Sequence, residues 1–256
     1  MSKDTVVAVK RALEILIALG QGQPQQSISN LSETLSLPKS TIHRLVTTME
    51  EAGFVKQDPT TRSYALGSRI LELGGVMLKQ LDLRTLASPY LEELASATRQ
   101  TVSLAILEET DLIYLENFSR GAVFQMPTQI GLRLSAFCRG LGKAILAFLP
   151  QAQQAEVLNK IEFIPHTPKT ITDPNEYRKH LARVLAQGYA IDDEEAAFGC
   201  KCIAAPIFDF SGKVVAAVSV SGPAQDFTPQ RFSEFTQLVL DTSRKITQAM
   251  GGSVER

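Results

Sequence analysis

A proline at position 38 separates two short runs whose apolar residues recur at helical spacing, and few folds accommodate that arrangement. Upstream, Ile28, Leu31 and Leu35 fall three and four residues apart and line one face of a short helix, with Ser27 or Ser29 placed to cap it. Downstream, Ile42, Leu45, Val46 and Met49 line a second helix from about Lys39. Pro38 cannot continue the first helix, biases Leu37 toward extended backbone and suits the entry to the second. The predicted unit is therefore helix, tight turn, helix. Its second helix leaves Lys39, Ser40, Thr41, His43, Arg44 and Thr47 away from the apolar stripe, with no carboxylate before Glu50.

After Gly53, Phe54–Gln57 and Tyr64–Leu66 read as two short strands around the turn-rich segment from Asp58 to Arg62, a wing with Arg62 at its tip. Short hydroxyls, one imidazole and one guanidinium can reach phosphates or base edges in a major groove, and an arginine at a wing tip suits the backbone or minor groove. Small three-helix units with polar faces also occur in proteins that never meet nucleic acid. The ordered succession of helix, proline-marked turn, hydroxyl-rich helix and basic wing favours double-stranded DNA as the partner.

A length of 256 residues suggests two domains at roughly 100–200 residues each. With 44% hydrophobic and 21% charged residues, wholesale disorder is excluded. Apolar runs such as Ala144–Leu149 and Val214–Val218 are too short to span a bilayer, and the amino terminus lacks a signal-peptide core, so a cytoplasmic protein without membrane contact is expected. Three cysteines point to a reducing compartment rather than a disulfide framework. Residues 1–81 carry nine Lys or Arg against seven Asp or Glu. So weak a positive balance excludes indiscriminate binding to polyanions and requires specific contacts, duplicated by dimerisation.

Along the chain, Val7–Gly20 reads as an amphipathic helix, with Val9, Leu13, Leu16 and Ile17 directed at the reader helices. Residues 1–67 are the expected winged unit. Gly67–Leu81 is apolar around most of its girth, and 68–82 is taken as a connector that also meets its copy in a partner chain, a simple buried helix being the alternative. Residues 83–256 form the second domain, of α+β class: an antiparallel sheet flanked by helices. Its predicted parts are a helix over Leu83–Thr98, a hairpin of Thr101–Leu107 and Leu112–Phe118, strands at Val123–Met126 and Leu132–Phe137, and a short helix at Ala144–Leu149. Helices at Gln151–Ile161 and Pro174–Gln187, strands at Cys202–Phe208 and Val214–Ser221, and a final helix over Pro229–Met250 complete it.

Chemistry in that domain gathers in three stretches: Cys138–Lys143, Asp192–Glu195, and Gly199–Cys202 with Ser219 and Ser221. Ser219 and Ser221 share one face of a strand, either a polar pocket wall or two solvent-facing hydroxyls. Backbone N–H groups around Gly140–Gly142, ahead of the Ala144 helix, can hold a carboxylate through the helix-terminus field. Asp192–Glu195 reads as a solvated turn or helix start, one of whose carboxylates can accept from a ligand hydroxyl. Together they describe a cavity for a small organic anion. Alternation puts Cys200 and Cys202 on one side of a strand, where they read as buried thiols or pocket wall. A zinc site lacks a four-ligand set, and no base or orienting group marks a cysteine nucleophile, so neither metal, cofactor nor enzyme is expected.

The segments LPKSTIHRLVTTMEEAGFV, ILELG, GLGKAILA and above all DDEEAAFGCKCIAAPIFDFSGKVVAAVSVSGP resemble the IclR family of bacterial transcriptional regulators, from about Val6 to Gly251. That resemblance implies a winged reader joined by a linker helix to a GAF-like effector domain. It also implies dimers or tetramers, and repression of catabolic operons in most members with activation in some. Matched motif by motif, it places Gly140, Leu141, Asp192, Cys202, Ser219 and Ser221 around the effector, flanked by apolar Met126 and Leu134. Arg139 stands where similar proteins often carry a small residue, and can pair a ligand carboxylate or neutralise Asp192. A small α-keto or sugar acid is the expected effector class. A DNA-binding protein whose second domain only oligomerises is the rival reading.

Overall fold

The computed structural model describes residues 6–21, 23, 25–80, 82–119 and 129–252, the backbone alone for 76–80 and 82. Contacts divide the chain into two units, Met1–Leu81 and Asp82–Arg256.

The first unit contains α1 (Val7–Gln21), α2 (Ile28–Leu35), α3 (Lys39–Glu51), β1 (Val55–Gln57), β2 (Tyr64–Leu66) and α4 (Ser68–Gln80). Ser27 caps α2, its hydroxyl accepting from Asn30 N at 3.2 Å. The helix ends at Ser36 in the left-handed region, a conformation a short polar side chain tolerates. Pro38 is then the last residue before α3, and its carbonyl accepts from Thr41 N and Ile42 N. Ile15, Leu19, Leu31, Ile42, Val46, Met49, Val55 and Tyr64 form the core of this unit. β1 and β2 pair antiparallel, and Gln26 adds a bridge to Tyr64.

The inward face of α1 differs from the expectation. Ile15 and Leu19 are buried with Leu16 beside them, whereas Val9, Leu13 and Ile17 are each more than half exposed and continue a stripe from Val6. Both stripes have helical spacing, so periodicity could not choose between them; the ridge between α2 and α3 accepts the narrower one, with Ala12 and Ala18. On α4, Leu71 and Leu73 are exposed.

The second unit runs α5 (Asp82–Thr98), β3 (Thr101–Glu108), β4 (Asp111–Phe118), β5 (Arg133–Ser135), α6 (Gly140–Phe148), α7 (Gln151–Lys160), α8 (Pro174–Gln187), β6 (Ala190–Asp193), β7 (Cys200–Phe208), β8 (Val214–Pro223) and α9 (Pro229–Ala249). Its sheet has the order β5-β4-β3-β8-β7-β6, each pair antiparallel. The expected α+β architecture is found. One sheet face presents Val102, Leu104, Val218, Val220, Ile203 and Ala205, all buried, with α5 and α9 packed on that side of the sheet. The other face carries α6, backed by α8, over Ala105, Tyr114, Cys202, Ala204 and Ala217.

Two sequence expectations change here. The Asp192 region is a strand leading into a turn, not a solvated turn, because Ala190 and Asp192 alternate inward opposite Ala204 and Cys202. The strand expected at Val123–Met126, and with it Met126, lies outside the described residues. Among the described residues, no helix is long and apolar enough to cross a membrane.

Candidate DNA-reading face and ligand site

On α3, Lys39, Ser40, His43 and Arg44 are exposed, Thr41 and Thr47 half-buried, while Ile42, Val46 and Met49 face the core. Thr47 Oγ1 donates to His43 O at 2.9 Å and Thr48 Oγ1 to Arg44 O at 3.0 Å, so these hydroxyls present lone pairs outward and suit donors better than acceptors. Thr48, exposed beside them, was not singled out by the sequence. Glu50 is turned away from the reading face, where its Oε1 accepts from Gln57 N of the wing at 3.1 Å.

The wing is held by Asp58, whose Oδ1 accepts from Thr60 N at 2.8 Å and Thr61 N at 2.9 Å. These backbone donors keep the Asp58 carboxyl below its ordinary range. Arg62 sits at the tip with φ 57°, exposed, its Nη1 donating to Gln57 Oε1 at 3.3 Å. The turn therefore fixes the backbone of Arg62 while its side chain stays on the surface.

In the second unit the register lines up two polar rows on the α6 side of the sheet. Thr101, Ser221, Cys202 and Asp192 are successive cross-strand neighbours, and Ser103, Ser219 and Ala204 form the next row. Ser219 and Ser221 are both buried, which excludes the solvent-facing alternative. The Ser221 and Ser219 hydroxyls lie toward the Cys202 thiol and draw its pKa down, but burial dominates and pushes it up to about 12. Even so, among the described residues Ser219 Oγ makes no hydrogen bond of ordinary geometry. Burial likewise pushes Cys200 up to about 11, and raises Cys138. All three thiols are free and held protonated, which disfavours nucleophilic chemistry.

Helix α6 begins at Gly140, so Gly140, Leu141 and Gly142 form its first turn rather than a loop ahead of it. Close approach requires both glycines: a Cβ on Gly140 would lie 2.9 Å from Cys202 Sγ, and one on Gly142 only 2.0 Å from Ala136 O. The α6 N-terminus thereby meets the polar rows at Cys202 and Asp192. Arg139, at the N-cap, is half-buried and donates from Nη1 to Ser135 O at 3.0 Å and to Cys138 Sγ at 3.4 Å. Among the described residues it forms no ion pair, so it does not neutralise Asp192 through direct contact. Leu134, half-buried in β5 opposite Leu112, packs against the same core cluster.

Asp192 is 6% exposed, and its Oδ1 accepts from Glu195 N at 2.8 Å and Ala196 N at 3.3 Å. Burial pushes its pKa up to about 6, against the pull of Lys143 and of the two backbone donors. The sequence reading placed Lys143 and Glu195 in its polar stretches but did not pair them or single out either. Lys143 is 0% exposed, pairs with Glu195 Oε1 and donates to Ile191 O at 3.1 Å. A lysine inside the apolar run from Leu141 to Leu149 was the available signal, since a buried ammonium requires a partner. Among the described residues, no cluster of three or more His, Cys, Asp or Glu is arranged for a metal ion.

The IclR helix-turn-helix domain matches residues 8–59, and the bacterial transcriptional regulator IclR C-terminal domain matches residues 75–248. The transcriptional repressor IclR of Escherichia coli (strain K12) is 32% identical over 249 residues, covering 96% of this chain and 91% of that protein. The transcriptional repressor AllR of Klebsiella pneumoniae is 34% identical over 244 residues, covering 95% and 90%. A crystal structure of an IclR homologue from Microbacterium hydrocarbonoxydans, complexed with 4-hydroxybenzoate, superposes with a TM-score of 0.82 at 26% identity, covering 95% of this chain and 98% of that one. Relatives of this kind are regulators rather than enzymes, and with both domain models matched in order the chain belongs to the IclR family of bacterial transcriptional regulators.

Proposed function

We propose that the protein is a ligand-switched repressor of a catabolic operon, in which α3 enters the major groove and a small organic acid binds where α6 meets the sheet. The observation that carries this reading is the convergence of Ser219, Ser221, Cys202 and Asp192 on the first turn of α6, with the Arg139 guanidinium beside it, which forms no ion pair among the described residues. A carboxylate at that turn gains from the N-terminal field and from Arg139. Its far end meets hydroxyls and the Asp192 carboxyl, which favours an acid carrying a keto or hydroxyl group. The hydroxyl and carboxylate of the 4-hydroxybenzoate bound by the Microbacterium homologue fit the same chemistry.

On DNA, Lys39, Ser40, Thr41, His43, Arg44 and Thr47 read or position one half-site and Arg62 steadies the wing. A homodimer sets two such helices in successive grooves, and the uncovered stripe of Val6, Val9, Leu13 and Ile17 supports pairing of copies. The acid shifts operator affinity only by its differential affinity for two arrangements of the dimer, typically about 1–3 kcal/mol. Footprinting on the protein's own upstream DNA, with and without a panel of keto, hydroxy and sugar acids, tests this. One acid should release a palindromic footprint; protection indifferent to every acid leaves the rival, oligomerising reading in its place.

A further inference from the structure

We infer that Lys143 and Glu195, which are not among the ligand-site residues named above, are positioning residues that latch Asp192 and set its charge. The claim bears on the ligand only through the site proposed above. Lys143 rises from the first turns of α6, and its ammonium bonds atoms on both sides of Asp192: the carbonyl of Ile191 before it, at 3.1 Å, and the Glu195 carboxylate after it. Glu195 in turn donates its backbone N–H to Asp192 Oδ1 at 2.8 Å. The ring of contacts thus ties the helix that would receive a ligand carboxylate to the turn that holds the opposing acid. Two further bonds clamp that turn from outside, Thr167 Oγ1 to Glu194 O and Thr170 Oγ1 to Glu195 O, each 2.7 Å.

The latch is electrically incomplete. Among the described residues, Glu195 Oε2 is buried without a hydrogen-bond partner, as are Tyr177 Oη and His180 Nε2 on α8, so the carboxylate is only half satisfied there and its field reaches its neighbours. Around Asp192 stand Lys143 of α6, Glu195 of the turn, Cys202 and Cys200 of β7, Cys138, and Tyr114 of β4, with Arg139 at the α6 cap acting on Cys138, Cys200 and Tyr114. Asp193 points to the other side, where Lys201 and Lys169 hold it. Lys143 favours the ionised form of Asp192 and Glu195 disfavours it. Because the two oppose, removing either alone moves Asp192 in opposite directions, which a purely structural brace would not do.

The test is a ligand-free titration of the full chain labelled with 13C at the aspartate carboxyls, the Asp192 signal being identified by its loss in Asp192→Asn. Glu195→Gln, whose amide oxygen still accepts from Lys143, should lower the Asp192 midpoint. Lys143→Met should raise it, and Lys143→Arg should restore it toward the wild-type value. Should Lys143→Met not fold, Glu195→Gln decides alone: a folded Glu195→Gln protein whose Asp192 titrates at the wild-type midpoint overturns the inference. Because no ligand is present, that failure would stand apart from any failure of the acid panel to act on the footprint.

Discussion

Replacing Asp192 by Asn should stabilise the second unit at neutral pH, and the gain should vanish in acid. Asn retains a carbonyl oxygen that can accept from Glu195 N and Ala196 N, so the turn is kept while the ionisable group is lost. In the wild type the carboxyl ionises near its ordinary value of 3.8 when unfolded and only at about 6 when folded. The folded state therefore binds the proton more tightly, and stability falls as pH rises from about 4 through about 6. Raising the carboxyl from 3.8 to about 6 corresponds to about 3 kcal/mol, an upper figure for a group this buried. His180 complicates any single profile: burial holds it down to about 4, so it costs stability as pH falls below its ordinary range. Subtracting wild type from Asp192→Asn cancels that contribution and leaves Asp192 alone. Urea unfolding followed at several values from pH 4 to pH 7.5 gives the difference curve. It should be near zero at the acid end and climb to between about 1 and 3 kcal/mol by pH 7. A curve that is flat across the range refutes the argument, whatever its height, because a constant offset is packing and not ionisation.

Arg44→Ala should weaken operator binding by about 1–3 kcal/mol in fluorescence anisotropy, with the loss confined to one base position of each half-site; a uniform loss across all sequences would make it a phosphate contact instead. Ser219→Ala with Ser221→Ala should abolish the response of the footprint to acid while operator affinity is retained. Ser219→Ala alone should cost little stability, because among the described residues its buried hydroxyl makes no hydrogen bond of ordinary geometry, only the weak approach to the Cys202 thiol; a loss above about 2 kcal/mol in denaturant melts would refute that reading. Gly142→Ala should cost at least about 1–3 kcal/mol of overpacking, seen as a lower unfolding midpoint of the second unit, since the new methyl meets the Ala136 carbonyl rather than a side chain able to move.

What the sequence made legible follows from which forces are local. Pro38, the Ser27 cap and the stripes of α2 and α3 act within a few residues of themselves, and the two helices were visible with most of their outward side chains, although Thr41 and Thr47 are half-buried and the exposed Thr48 was overlooked. The serine pair was visible too, because strand alternation is a local rule, but whether that face was wet or buried depended on α6 lying over it. Where two stripes competed on one helix, as on α1, only the shape of the surface beneath could select Ile15 and Leu19 over Leu13 and Ile17. The Lys143–Glu195 pair joins residues 52 positions apart, and neither partner announces the other. Still, the cost of burying an ammonium is known beforehand. A lysine between Gly142 and Ala144, in a helix whose every neighbour is small or apolar, must find an anion or leave the core. The acidic run at Asp192–Glu195 was the richest supply of carboxylates in the second domain, and two of its four members prove to be buried. Taking those facts together, charge in the wrong place at one point of a chain is a prediction about another point, and here it leads from Lys143 on α6 to the turn that carries Glu195.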